Sequence, residues 1–354
     1  MKFMKDFESS KILVFGGAGF IGSNFIRHIL SEEHPEKLVN FDKLTYSGNP
    51  DNLREITSDP AYEFMRDDIA DYRAVEATIK KYKPQYIINF AAETHVDRSI
   101  HVGARDFIRT NTEGVFNVLE AIKNIGGVKK FVQVSTDEVY GSLDLNSKRK
   151  FKEGDELKPN SPYAASKASG DLWCRAYYST WNTPVVVTRC ANNFGAYQYP
   201  EKLIPFFILR MLTGQKLPLY GTGENIRDWI HVLDHCQALK LCLLSGRPGD
   251  IYNIGAGNEK TNIEMAKMIL AHFNKDESHI EFVTDRPGHD LRYGINTDKI
   301  RTELGWEPGY NFNIGFSQTI RWYIDNRSWV EKIYNKTDDI NAHIKNLNKD
   351  KYKN

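Results

Sequence analysis

The stretch KILVFGGAGFIGSNFIRHIL, residues 11–30, decides how the rest of the chain is read. KILVF is almost wholly apolar, GGAGFIG then spaces Gly16, Gly19 and Gly22 three apart, and beyond them apolar residues recur at helical spacing. A buried strand that turns through glycines into a helix brings backbone close to a pyrophosphate, which sits on the partly positive helix N-terminus. The next apolar run, KLVNF (37–41), leads into Asp42, 20 residues beyond Gly22. A carboxylate there accepts the ribose hydroxyls of an adenosine and repels a 2′-phosphate, which favours NAD over NADP.

Moving outward, the same rhythm repeats. YEFM (62–65), YIINFA (86–91), KFVQVS (130–135) and PVVVTR (184–189) read as further strands, joined by helical patterns in DYRAVEATIKKY, TNTEGVFNVLEAIKN and SPYAASKASGDLWCRAYYS. Near-continuous apolar strands alternating with helices predict an α/β fold, a Rossmann-type doubly wound parallel sheet covered on both faces. After about Cys190 the pattern loosens into loops rich in Asn, Gly, Pro and Tyr, with helices expected near 203–213, 231–244 and 261–273. The expected division is therefore 1–190 as the NAD-binding domain, 191–335 as a smaller mixed α/β substrate-binding lobe, and 336–354 as a polar C-terminal tail.

Composition narrows the class. The 47 basic and 46 acidic residues nearly cancel, so no overall field points to nucleic acid or an anionic membrane, and any bound phosphate must be met by local groups. Cys174, Cys190, Cys236 and Cys242 have no C-x-x-C spacing, which suggests core thiols in a reducing compartment and no structural metal. The opening MKFMKDFESS lacks an apolar signal region, and no apolar run approaches a membrane span, so a cytoplasmic protein is expected.

Two groups of residues carry chemistry. VSTDEVYG (134–141) places Asp137 and Glu138 side by side just after a buried strand, and SPYAASKASG places Tyr163 and Lys167 four apart on one helical face. A lysine ammonium beside a phenol favours the phenolate, which brings tyrosine toward the range of a general base. Successive strand residues point to opposite faces, so the acidic pair is expected in the turn beyond the strand.

Together GGAGFIG, AAETHVDRS, STDEVYG, YAASK, NNFGAYQYPEKLIP, YGTGENIRDWIHVLDH and DRPGHDLRYGI resemble the extended short-chain dehydrogenase/reductases and, within them, the dTDP-glucose 4,6-dehydratases. The likeness runs from about Lys11 to Pro308, and the Asp-Glu pair after Ser-Thr is its most specific part. The resemblance implies a hydro-lyase with tightly bound NAD. Its reaction oxidises C4 of dTDP-glucose, eliminates water across C5 and C6, and returns the hydride to C6, giving dTDP-4-keto-6-deoxyglucose. Tyr163 with Lys167 would take the C4 hydroxyl proton, Glu138 the C5 proton, and Asp137 would protonate the leaving oxygen, with Thr136 touching the C4 oxygen. Asp137 then needs a raised pKa.

The resemblance assigns the dinucleotide to Gly16, Gly19, Phe20, Ile21, Gly22, Asp42, Lys43, Thr45, Asp68, Ile69, Ala91, Ala92, Thr110, Tyr163, Lys167 and Asn193. The nucleotide sugar falls to Thr94, His95, Thr136, Asn192, Lys202, Leu203, Pro218, Tyr220, Arg227, Asn262, Arg286 and His289. Read from charge alone, Arg227 has a second reading, a surface pair with Asp228 or Glu224. A homodimer built on the helices near 104–125 and 162–180 is also implied. Phe15, Thr94 and Ala196 depart from the pattern, where Thr, Ser and Pro are usual, and none is a reacting group. The rivals are a UDP-sugar 4,6-dehydratase, a nucleotide-sugar 4-epimerase, and a binding protein that has lost the chemistry. The epimerase has no use for a second acid and base, and the binding protein has no need of all four reacting groups.

Overall fold

The computed structural model describes residues 7–334; the tail expected at 336–354 lies outside the described residues. The chain opens with β1 (Lys11–Phe15), α1 (Phe20–Glu32), β2 (Lys37–Phe41), β3 (Tyr62–Met65), α2 (Tyr72–Tyr82) and β4 (Tyr86–Asn89). Next come α3 (Val96–His101), α4 (Arg105–Phe107), a π-helical turn (Ile108–Glu113), α5 (Gly114–Ile125) and β5 (Lys130–Thr136). They are followed by a 3-10 turn (Asp137–Tyr140), α6 (Pro162–Trp181), β6 (Val185–Cys190), β7 (Asn192–Phe194), α7 (Leu203–Leu212) and β8 (Leu217–Tyr220). The remainder is β9 (Ile226–His231), α8 (Val232–Ser245), β10 (Ile251–Ile254), β11 (Glu259–Thr261), α9 (Asn262–His272), β12 (Ile280–Val283), α10 (Asp298–Leu304), α11 (Phe312–Asp325) and α12 (Arg327–Tyr334).

Seven strands form one parallel sheet in the order β3-β2-β1-β4-β5-β6-β10. All seven residues of β5 are buried, as are all six of β6, which is why these runs lack polar alternation. Strand order reverses between β1 and β4, and this switch point opens a crevice beyond the carboxyl ends of the strands.

The chain does not divide once near residue 190. After β7 it returns to the large sheet: α8 packs against α1, and β10 pairs in parallel with β6, Ile251 opposite Val187 through Ile254 opposite Cys190. A parallel neighbour for β6 needs a crossover, and α8 supplies it. The smaller lobe is thus built from three segments, one carrying β7, α7, β8 and β9, a second β11, α9 and β12, and a third α11 and α12. The first two meet in a β11-β9-β7 sheet and a β12-β8 pair. Its core, around Phe207, Leu217, Trp229, Ile269, Phe316 and Tyr323, is separate from the cores on either face of the large sheet.

A second difference lies in TNTEGVFNVLEAIKN, expected to be helical throughout. Its start is a π turn, which aims Asn111 inward: its amide donates to Ser166 Oγ (2.9 Å) and Glu93 O (3.0 Å), and its Oδ1 accepts from Glu93 N (2.9 Å). Widened turns of this kind tend to sit beside functional sites, and Thr110 of this one faces the crevice. Among the described residues no helix is long and apolar enough to cross a membrane.

Candidate active site

Two cavities, of about 300 and 180 Å3, meet at Glu138, Asn192, Glu201, Lys202, Leu203 and Trp229. The larger fills the crevice at the switch point. Gly16, at φ +75°, lies so close to β4's exit that a Cβ would sit 2.4 Å from Ala91 N, and a Cβ on Gly22 would sit 2.4 Å from Gly16 O. Only glycine permits this approach. Asp42 fixes the turn from β2: its Oδ2 accepts from Ala18 N (2.9 Å) and its Oδ1 from Leu44 N (2.7 Å). Each oxygen keeps a lone pair for a ribose hydroxyl. Gly19, Phe20, Ile21, Lys43, Thr45, Asp68, Ile69, Ala91, Ala92, Thr110, Tyr163, Lys167 and Asn193 line the same space. The glycine cradle and this carboxylate fit an adenine dinucleotide without a 2′-phosphate.

Where the cavities join, Thr136 ends β5 and caps the following turn, its Oγ1 accepting from Glu138 N (3.3 Å). Leaving the strand here frees Asp137 and Glu138 from alternation, so both carboxylates reach the crevice. Burial, and then the charge of Glu138, hold the Asp137 carboxyl well above the usual range, with Arg227 opposing. Burial also raises Glu138, against the pull of Arg286, Lys202 and Arg227. Asp137 Oδ2 and Ser135 Oγ are buried with no hydrogen-bond partner.

Ser161 caps α6, accepting from Ala164 N (3.1 Å), and Pro162 occupies the first turn, so Tyr163 projects into the cavity from the helix start. Lys167 follows one turn later, its Nζ donating to Val134 O (2.7 Å). The expectation that this lysine by itself draws the phenol toward phenolate is not met. Burial, and then Glu138, push Tyr163 well above its ordinary value, while burial lowers Lys167. Burial first, and the charge of Glu138 second, disfavour the phenolate, so it needs further positive charge from a group bound in the crevice.

Of the residues expected at the sugar, Thr94 and Thr136 line the larger cavity. His95, Asn192, Lys202, Leu203, Pro218, Tyr220, Arg227, Asn262, Arg286 and His289 line the smaller. Arg227 is buried in β9, not on the surface. Its Nη2 donates to Asp290 O (2.9 Å), its Nη1 to Ile226 O (2.8 Å), and its guanidinium lies 4.1 Å from the Tyr293 ring centroid. Asp228 instead accepts from Gly257 N (3.0 Å) and Asn258 N (2.7 Å). Arg286 pairs with Asp97 (3.2 Å), which also accepts from Tyr220 (3.1 Å), and Lys202 Nζ donates to Thr94 O (2.7 Å). Burial, and then Arg286, lower His289 to about 4, so it is neutral at pH 7 and offers a hydrogen bond without charge. Among the described residues no three His, Cys, Asp or Glu side chains group as metal ligands.

Two residues were missed. Glu201 lines both cavities, its Oε1 accepts from Tyr46 (3.1 Å), and burial raises it to about 7 against Lys202. Its only signal in sequence is a carboxylate before Lys202 in YPEKLIP. Tyr293, from DLRYGI, donates to Asp290 Oδ2 (2.6 Å) and stands 3.5 Å from Glu138 Oε2. Cys190, taken as a core thiol, is buried yet lines the larger cavity; burial raises it to about 12, so it is no thiolate.

A dinucleotide crevice opening through a tyrosine, a lysine and two carboxylates into an arginine-bearing cavity is the architecture of a short-chain dehydrogenase/reductase of the extended kind. A family model described as GDP-mannose 4,6 dehydratase matches residues 13–319, and the chain belongs to that family. It is 48% identical over 327 residues to a dTDP-glucose 4,6-dehydratase of Streptomyces niveus, covering 91% of this chain and 95% of the relative. Among solved structures it resembles the dTDP-glucose 4,6-dehydratase DesIV of Streptomyces venezuelae with NAD bound. That match has a TM-score of 0.88 and 46% identity, and covers 91% of this chain and 99% of that one. A UDP-glucose 4-epimerase of Thermotoga maritima, at 28% identity and TM-score 0.81 over 90% of this chain and 99% of its own, shares the scaffold.

Proposed function

We propose that this protein is an NAD-dependent dTDP-glucose 4,6-dehydratase, a hydro-lyase that forms dTDP-4-keto-6-deoxyglucose. The observation that carries the reading is the Asp137–Glu138 pair, which lines the larger cavity together with Tyr163, with Glu138 at its junction with the smaller one. Held by Gly16, Gly19, Gly22 and Asp42, NAD would supply a hydride acceptor for C4 that can give the hydride back at C6, and a ring charge that favours the Tyr163 phenolate. Tyr163 accepts the C4 hydroxyl proton, with Lys167 and Thr136 holding the oxygen side of the site. The C4 ketone makes the C5 hydrogen acidic, and Glu138 accepts it. Asp137, protonated because it is buried beside Glu138, donates to the C6 oxygen as water leaves. Arg227 and Arg286 meet the diphosphate.

The test is incubation with dTDP-glucose and mass analysis of the product. A product lighter by one water supports the reading. An isomer of unchanged mass, or no turnover, contradicts it.

We place the enzyme in the cytoplasm, on its four free cysteines and nucleotide ligands. It acts as a homodimer. Phe116, Trp173, Tyr177 and Trp181 form a ladder of ring contacts along α5 and α6, with Trp181 51% and the neighbouring Leu172 58% exposed in the single chain. Such a patch is usually covered. Sedimentation at micromolar concentration should give twice 40.7 kDa; a stable 40.7 kDa species overturns the dimer.

A further inference from the structure

Glu138 lines both cavities, so a sugar lying across them covers the face of its carboxylate that looks into the crevice. A second path leaves Glu138 through Tyr293, which also lines the smaller cavity. Tyr293 Oη stands 3.5 Å from Glu138 Oε2, and its own proton is directed elsewhere, to Asp290 Oδ2 at 2.6 Å. The phenol oxygen therefore keeps lone pairs free to accept. Asp290 Oδ1 accepts from Asn160 Nδ2 at 2.6 Å, and Asn160 is exposed on the approach to α6. The backbone of Asp290 is held independently: its carbonyl accepts from Arg227 Nη2 (2.9 Å) and Asn225 Nδ2 (3.2 Å). Three groups are thus lined up from the reacting centre, carboxyl, phenol and the carboxylate of Asp290, which is itself buried and lies one hydrogen bond beneath the exposed Asn160.

We propose that Tyr293 and Asp290 form a proton relay through which Glu138 exchanges its proton with solvent while the sugar is still bound; this rests on the function assigned to Glu138 above. After Glu138 has taken the C5 hydrogen it is a neutral carboxylic acid. It donates that proton to Tyr293 Oη as Tyr293 passes its own to Asp290 Oδ2. Asp290 releases a proton to water at the Asn160 end and takes up another. Reversal along the same bonds returns a solvent proton to Glu138 and then to C5. One proton leaves and one enters, with no change of charge. The 3.5 Å gap is of the kind that tightens when substrate is bound. Tyr293 is held neutral by burial, and then by Glu138, so it serves as a two-way conductor and not as a competing base. Asp290 acts through Tyr293 and is a positioning and relay residue.

The test is a single turnover of unlabelled dTDP-glucose in deuterium oxide, with rapid quenching and a count of deuterium at C5 for each product molecule formed. The wild-type enzyme should place deuterium at C5 in nearly all product. Y293F and D290N keep shape but cannot carry the proton, and should still dehydrate, more slowly, with most product retaining the original C5 hydrogen. A merely structural role would slow turnover without changing this ratio. If either variant turns over with C5 labelled as fully as in the wild type, the relay is overturned. Complete loss of turnover in both folded variants overturns it as well, because the relay is needed for exchange and not for elimination. A wild-type enzyme that eliminates no water overturns the function and the relay together.

Discussion

Tyr163→Phe should lower turnover by about 100- to 10,000-fold, the range for loss of a positioned general acid or base. Phenylalanine keeps the ring and its edge-on packing against Phe107, at 6.4 Å between centroids, so the helix start and the cavity wall survive. Only the hydroxyl goes, and with it the acceptor for the C4 proton. The block should fall on the first oxidation. Mixing the variant with dTDP-glucose should therefore show no rise in reduced nicotinamide absorbance on the protein, even transiently. A variant that reduces its cofactor at the wild-type rate would remove Tyr163 from the role given to it.

Glu138→Gln should have the opposite signature with a comparable loss of product. Glutamine matches the size of glutamate and can accept a hydrogen bond, but it cannot take the C5 proton. Tyr163 and Lys167 are untouched, so oxidation at C4 goes ahead and the reaction stalls before elimination. Reduced nicotinamide absorbance should build up to nearly one per active site, while product falls by about 100- to 10,000-fold. The two variants together separate two steps that depend on groups only a short way apart. If Glu138→Gln eliminates water normally, the second base lies elsewhere, and Glu201, raised to about 7 and lining both cavities, is the next candidate.

Much of this fold is legible in the sequence. β1 and β2 match their apolar runs residue for residue, because a strand buried on both faces has a composition no exposed segment shares, and β3, a half-exposed edge strand, matches YEFM as well. YIINFA overran, since Phe90 and Ala91 are apolar for a different reason: they line the crevice. β10 was not seen as part of the large sheet. IYNI is a four-residue apolar run like several in the lobe, and only its pairing with β6 tells it apart. At the site, the residues legible in sequence were those whose chemistry depends on spacing along the chain, such as Gly16 to Gly22 or Tyr163 to Lys167. Glu201 meets Tyr46, and Tyr293 meets Glu138, only through the fold, each across more than a hundred residues, so no local pattern marks them. The direction of the Tyr163 shift was unreadable for a related reason. It depends on burial and on carboxylates from another element, and neither is visible in Y-x-x-x-K.

The central claim is that the hydrogen removed from C4 never leaves the active site and ends on C6. The most direct measurement is turnover of dTDP-glucose deuterated at C4 in ordinary water, followed by locating the label in the product. The mechanism predicts one deuterium in the new methyl group of each product molecule and none in the solvent. Deuterium lost to water, or retained at C4, would contradict it.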